Sequence, residues 1–442
     1  MPQRLASSHS WDPTQGIVKL LKEVSRSMIR QTNIRPDISR LWSTLMRSAE
    51  IGKTPKGGLK RLALSNEDAL MRQQFIDWCE EAGCTIRIDP IGNIFAERAG
   101  TDSDAKPILV GSHLDTQVRG GRFDGILGVL AGLEIVRTLN DHNLATRHPI
   151  TVVNWTNEEG ARFEPPMIGS AVFTKQKSPD FAYSRLDKDG ISLGEALGKT
   201  GFKGTETVSA SQFDSLFELH IEQGPRLDDA KLQVGVVTGA FGVRGFVIEV
   251  FGETGHVGPT PMPARRNALV GAAHVTLAID AIGWAHHETG GKSTTMRIRA
   301  EPNLLGALPD YVEMTCDMRH PDEAVVIEML DAFKAQIPEL EARSRCRIVV
   351  KEGWSYGGMS FDAECVDLVR SSADAFGYST LELLTEAGHD AMHVADYLPT
   401  AMIFTPCEGG LSHNEAENVT LADIEPGVNV LLQAVLRRAN RV

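Results

Sequence analysis

The sequence predicts an α/β protein of two domains, the smaller inserted into the larger. Its 442 residues exceed the size at which one hydrophobic core usually stops growing. Residues 60–155 alternate helical and strand patterns, the order of an α/β layer architecture. Residues 240–354 read strand, helix, strand, strand, helix, strand, which is complete in itself as a ferredoxin-like βαββαβ module. The first pattern then resumes, so the larger domain is expected to comprise 1–239 and 355–442 and the insert 240–354.

Residues 1–30 carry lysines, a glutamate and arginines that interrupt any apolar run, and read as a loose tail and a short amphipathic helix rather than a secretory signal. Over 66–82 the apolar residues Leu70, Phe75, Ile76 and Trp78 recur at helical spacing, and TIRID follows as a short strand. PILVG (107–111) is a compact apolar strand running into SHLDT. GILGVLAGLEIVRTL (125–139) has helical periodicity, and ITVVNW (150–155) is a buried strand ending in TNEEG. Polar residues thus gather just past strand ends, where open α/β sheets place ligands. The insert's strands are GFVIEVFG, TTMRIRA, YVEMTCDM and CRIVVKE, with helices beginning at RNALVG and DEAVVI. A helix over 361–377, the strand TAMIFTP and a final helix near 425–439 complete the larger domain.

The chain is 42% hydrophobic and 23% charged, ordinary for a globular protein. With 58 acidic against 45 basic side chains its formal net charge is -13, which opposes binding to nucleic acid or an anionic membrane. No segment reads as the run of about 18 apolar residues that a membrane span needs. Six cysteines without a C-x-x-C pair, most in apolar contexts, suit buried free thiols and a reducing, cytoplasmic compartment.

Chemistry-bearing residues cluster in a few places. His113 follows a strand end in SHLDT, and Asp115 is placed to accept the imidazole's other N–H and fix its tautomer. Asp124, between glycines in GGRFDG, reads either as a helix N-cap or as a carboxylate that a site approaches closely. Glu158 and Glu159 form a carboxylate pair after a buried strand, costly unless a cation compensates or water solvates the loop. Spacing does not tell which of the two would bind a cation. His220 in FELHIEQG and His413 in GGLSHNEAE also follow apolar stretches. Singly, each histidine is more often structural. Together, three histidines, an isolated aspartate and a carboxylate pair past strand ends need one metal site, where a structural account needs several coincidences. Such ligands suit zinc, and also manganese, cobalt or nickel.

The motifs SHLDT, GGRFDG, NEEGARF, HIEQG, GHVGPTPM, AGHDA and SHNEAE closely resemble the amidase, hydantoinase/carbamoylase family of dinuclear metallohydrolases, in that family's order and from about residue 38 onward. The family includes N-carbamoyl-L-amino-acid amidohydrolases, bacterial β-ureidopropionases and allantoate amidohydrolases. The resemblance implies a metallopeptidase-like catalytic domain with a mixed central sheet, and makes the insert a lid through which two copies dimerise. It implies two divalent metal ions per subunit. His113, Asp124 and His220 would hold one, and Asp124, Glu159 and His413 the other, with Asp124 bridging. Glu158 would be left unliganded as the general base, and Asp115 would be a catalytic residue behind His113 rather than a ligand. His256, by its residues alone a turn histidine, would reach the partner's site and support the oxyanion. Gln223, Arg319 and Gly388 would contact substrate, Arg319 by a bidentate fork on a carboxylate.

Three positions depart from the pattern. Gly306 stands where the family's Asn-x-Ile-Pro-Gly would supply an asparagine, Asn267 where an aspartate is usual, and Thr385-Glu386 where Ser-Gly would precede AGHDA. Glu386 would bring negative charge to the pocket if it points inward. The expected reaction is hydrolysis of an N-carbamoyl amino acid, α or β. The rivals are allantoate or another ureido acid, an N-acyl amino acid, and a non-catalytic relative that only binds such a molecule.

Overall fold

The computed structural model describes residues 34–441, and the expected N-terminal tail and helix lie outside the described residues. The chain first lays down β1 (Thr85–Ile88), β2 (Ile94–Arg98), β3 (Ile108–His113), β4 (Ile150–Trp155), β5 (Ser215–Ile221) and β6 (Val234–Ala240). It continues with β7 (Gly242–Phe251), β8 (Lys292–Glu301), β9 (Tyr311–His320) and β10 (Arg347–Tyr356), then β11 (Met359–Ser360), β12 (Thr380–Thr385) and β13 (Thr400–Thr405).

The larger sheet runs β1-β2-β4-β3-β5-β13-β6-β11, with β12 also on β6. It is mixed: β4/β3, β3/β5 and β5/β13 are parallel, whereas β1/β2, β2/β4 and β13/β6 are antiparallel. Every residue of β3, β4, β5 and β13 is buried, as expected for strands covered on both faces. The helix Ile126–Asp141 packs on β3 and β5, and Leu421–Ala439 on β13. Because the four central strands are parallel, their carboxyl ends meet at one edge. His113 ends β3, the Glu158–Glu159 loop follows β4, His220 lies at the end of β5, and the loop bearing His413 follows β13.

The second sheet, β10-β7-β9-β8, is antiparallel throughout and carries Ala268–His286 and Glu323–Ser344 over its own core of Phe246, Ile248, Val275, Ile279, Met314 and Phe333. It runs from Gly242 to Tyr356, two residues later at each end than the sequence pattern placed the insert, because β6 holds Ala240 in the first sheet. One reading needs correction. The stretch Ala268–Thr289, with a mean hydropathy of 1.5, is long and apolar enough for a membrane span by composition. Its inner face, with Ala272, Val275, Ile279 and Ile282, packs into the module's core, while Leu269, Val270, Leu277 and Trp284 are exposed on the other side. All six cysteines are buried and free.

Candidate metal centre

Both central histidines are anchored by the backbone. His113 Nδ1 donates to the Asp115 carbonyl oxygen at 2.9 Å, and His220 Nδ1 to the Ile221 carbonyl oxygen at 2.9 Å. Each Nε2 is thereby turned toward Asp124, whose Oδ1 lies 3.7 Å from His113 and 3.2 Å from His220. The other oxygen, Oδ2, lies 3.5 Å from His413 Nε2, which is also 3.3 Å from Glu159 Oε2. The ligand atoms of His113, Asp124 and His220 lie within 4.8 Å of one another, as do those of Asp124, Glu159 and His413. These are two nitrogen- and oxygen-rich clusters sharing one carboxylate, and the donor set fits a pair of divalent cations.

Asp124 does not cap the helix that follows. The N-cap is Gly125, at φ 68 and without a side-chain cap bond. A Cβ there would lie 2.3 Å from the His113 ring, so glycine is required both for the left-handed turn and for the approach. Gln223 and His413 also sit at positive φ, 58 and 53, the kind of backbone strain that persists where surrounding structure enforces it.

Electrostatics follow from burying these charges together. Burial alone would raise Asp124, but the hydrogen bond and charge of His220, then of His113 and His413, hold it well below the usual carboxylate range. Burial opposes charge on His220 and His413 too. The partner carboxylates, Asp124 for the first and Glu159 for the second, outweigh it and raise each to about 9. Glu158 goes the other way: burial, then Asp390 and Glu159, push it well above the usual range. Its Oε2 stands 3.4 Å from His113 Nε2, and it belongs to neither cluster.

The centre floors a cavity of about 1060 Å³ lined from both sheets. Residues 109–437 match peptidase family M20/M25/M40. The chain belongs to that family. It is 42% identical over 410 residues to an N-carbamoyl-L-amino-acid amidohydrolase of Rhizobium meliloti, covering 93% of this chain and 98% of the relative. It is 30% identical over 397 residues to an allantoate amidohydrolase of Bacillus subtilis (strain 168), covering 88% and 95%. In structure it resembles an amidase of the hydantoinase/carbamoylase family from Burkholderia vietnamiensis, with a TM-score of 0.89, 45% identity, and coverage of 93% of this chain and 99% of the other. This M20/M25/M40 chain is therefore a metal-dependent hydrolase.

Two expectations change in detail. Asp115 does not use its carboxylate on His113; its carbonyl does that, while Oδ1 and Oδ2 accept the Glu158 and Glu159 N–H groups at 3.2 and 3.3 Å. Asp115 thus positions both glutamates by their backbone. Glu386 does not enter the pocket. Its carboxylate pairs with Arg226 at 2.5 Å and with Lys292, while its carbonyl accepts from Arg319 Nη1 at 2.6 Å.

Gln223 lines the cavity and donates to Asp124 Oδ2 at 2.9 Å, and Arg319 lines it with Nε and Nη2 on Asp317 Oδ2. Gly388 is there as well, where a Cβ would come within 3.2 Å of Tyr356 Oη. His256 is exposed, accepts from Gly258 N–H at 3.1 Å, and is not among the cavity's lining residues. Gly306 is exposed at φ 87 with open space around it, and Asn267 caps its helix by accepting from Leu269 N–H at 3.0 Å.

Sequence reasoning missed the residues that hold the ligands. Glu417 accepts from the Phe123 and Asp124 N–H groups at 3.1 Å each and from Ser412 Oγ at 3.1 Å. Gln117 binds Glu159 Oε2 at 2.7 Å. His389, buried with neither ring nitrogen partnered among the described residues, stands edge-on to His220 at 4.5 Å. Glu417 and His389 sit inside the quoted SHNEAE and AGHDA motifs, which were the only available signal.

Proposed function

We propose that this chain hydrolyses the ureido C–N bond of an N-carbamoyl amino acid, giving the amino acid, ammonia and carbon dioxide. The observation that carries the reading is the single Asp124 carboxylate shared between two ligand clusters, with Glu158 left outside both. His113, Asp124 and His220 would hold one cation and Asp124, Glu159 and His413 the other, zinc suiting the donors best, with manganese, cobalt and nickel also acceptable. Such ions, when bound, polarise a carbonyl and make hydroxide accessible near neutral pH.

The chain's own residues do the rest. Glu158, outside both clusters with Oε2 3.4 Å from His113 Nε2, takes the proton of the attacking water and returns it to the departing nitrogen. Arg319 and Gln223 orient the substrate, and Gly388 leaves space beside Tyr356. Loss of ammonia leaves a carbamate that decays to carbon dioxide and the free amino acid. Residues 242–356 act as lid and dimerisation module. The exposed apolar residues Leu269, Val270, Leu277, Trp284, Met296, Ile298, Leu304 and Leu305 are the support for a homodimer, in which His256 serves the partner's site. Six buried free thiols suit the cytoplasm.

Glu158→Gln tests the assignment. Turnover of N-carbamoyl substrates, followed by ammonia release, should vanish while metal content by elemental analysis stays at the wild-type level. Retained activity would remove Glu158 from the reaction.

A further inference from the structure

The cavity wall has charge to spare in one place. Four basic side chains line it: Lys177, Arg185, Arg297 and Arg319. Arg297 is paired with Glu164 at 2.6 Å, and Arg319 with Asp317 at 2.6 Å. Neither Lys177 nor Arg185 forms an ion pair among the described residues, although Asp180 and Asp396 lie on neighbouring turns. Asp187 is engaged by Arg162 at 3.1 Å.

Lys177 and Arg185 converge on one ring. Arg185 Cζ lies 4.3 Å from the centre of Phe181 and Lys177 Nζ lies 5.1 Å from it. Half-buried Arg185 spends Nε on the Phe181 carbonyl at 3.2 Å and one Nη2 hydrogen on Ser184 Oγ at 3.0 Å, leaving Nη1 uncommitted among the described residues. A guanidinium packed against a ring with a free Nη1 keeps donors available to a carboxylate.

The helix Asp390–Ala395 links this wall to the metal centre. Its N-cap His389 lies 4.5 Å from the His220 ring, and His393 follows within the helix four residues on. Gln176 Nε2 donates to the His393 carbonyl at 3.3 Å, which brings the segment bearing Lys177 alongside. Burial first, then the charge of Lys177, lowers His393 to about 4, so the imidazole is neutral and the positive charge here belongs to Lys177 and Arg185. The same cavity is also lined by the apolar Met167, Ile168 and Ala171.

We infer that Lys177 and Arg185, both packed against Phe181, form a second anion subsite that receives a carboxylate at the end of the substrate's side chain, so that the preferred substrates are ureido diacids. This rests on the amidohydrolase reading above. Arg319 takes the carboxylate of the amino-acid backbone, and the apolar stretch receives the intervening methylenes.

The test compares kcat/KM for N-carbamoyl-L-aspartate, N-carbamoyl-L-glutamate and N-carbamoyl-L-2-aminoadipate with N-carbamoyl-L-glutamine and N-carbamoyl-L-methionine. The wild-type enzyme should favour a diacid over the neutral compounds by about tenfold, the best chain length reporting the spacing. Arg185→Met and Lys177→Met should each reduce kcat/KM for the diacids by about tenfold, chiefly through KM, and leave N-carbamoyl-L-methionine unchanged. Arg185→Lys, which keeps the charge, should recover part of the loss. Hydrolysis of the neutral substrates without preference for any diacid would overturn the subsite and leave the amidohydrolase reading standing. Equal losses on every substrate would also overturn it, since a distorted wall would do the same. Hydrolysis of none of the five would overturn both.

Discussion

The floor and the wall of the cavity are built by different means. On the floor, His113 and His220 belong to β3 and β5, each ring is pinned by a carbonyl no more than two residues away, and Asp124 is 4% exposed. On the wall, Arg185, Arg297 and Arg319 reach the cavity at the end of long side chains, and the ion pair of Arg297 joins groups 49% and 67% exposed. The position of the two central histidines is thus set by strand register, which cannot drift without breaking the sheet. The choice of substrate is set by side chains that a single substitution can replace.

The largest effect should come from the floor. Asp124→Asn retains the shape but removes the charge that both clusters share, so both metal equivalents and activity should be lost, the latter by about 10⁴-fold or more. Elemental analysis and ammonia release measure the two separately. An enzyme that kept one tightly bound equivalent and most of its turnover would show that the clusters are independent.

Metal binding offers the next test, because the floor stores protons. With His220 and His413 each raised to about 9 in the metal-free protein, both carry a proton at pH 7 that a cation must displace. Loading the apoprotein should release about two protons, and affinity should rise about 100-fold per pH unit until the pH approaches 9. Calorimetry in buffers of different ionisation enthalpy counts the protons. Release of none would mean that the histidines are already neutral.

The wall should respond less. Arg319→Lys keeps the charge and loses the planar fork, so KM for N-carbamoyl amino acids should rise by about 30-fold with kcat nearly unchanged. An equal loss in kcat would place Arg319 with the floor, acting on the reacting atoms rather than on the substrate's far end.

The same division explains what could be read from sequence. The candidate ligands His113, Glu159 and His220 were legible because strand ends in a parallel sheet leave a recurring mark, an apolar run followed by a polar residue, whereas Asp124 and His413 lie in loops further on. The four long strands of the insert and its two helices were legible by periodicity, and their antiparallel pairing completes the expected module. β6 escaped because VGVVTGA is interrupted by glycine, and it pairs with β12 and β13, far away in sequence. Glu417 escaped because it acts on the backbone of Phe123 and Asp124 nearly 300 residues earlier, a contact that exists only after folding. Asp115 was assigned to the right neighbourhood and the wrong atoms, since one carbonyl and one carboxylate of the same residue serve different partners. Glu386 was read as a possible charge in the pocket because Arg226 and Lys292, which hold it away, come from the helix Arg226–Ala230 and from β8.

Glu386 provides the smallest test. Its carboxylate is 27% exposed and its partners Arg226 and Lys292 are 46% and 54% exposed, so each ion pair is solvent-screened and worth little on its own. The contact that bears on substrate is the carbonyl's bond to Arg319, which a side-chain substitution leaves in place. Glu386→Gln should therefore change kcat/KM by no more than about threefold. Glu386→Gly, which installs the residue expected from the family pattern but also frees the backbone, should do more harm than the glutamine variant. If the glutamine variant instead raised KM as far as Arg319→Lys, the two ion pairs would be holding the Arg319 guanidinium in place. The wall would then be as firmly positioned as the floor, by charge where the floor uses strand register.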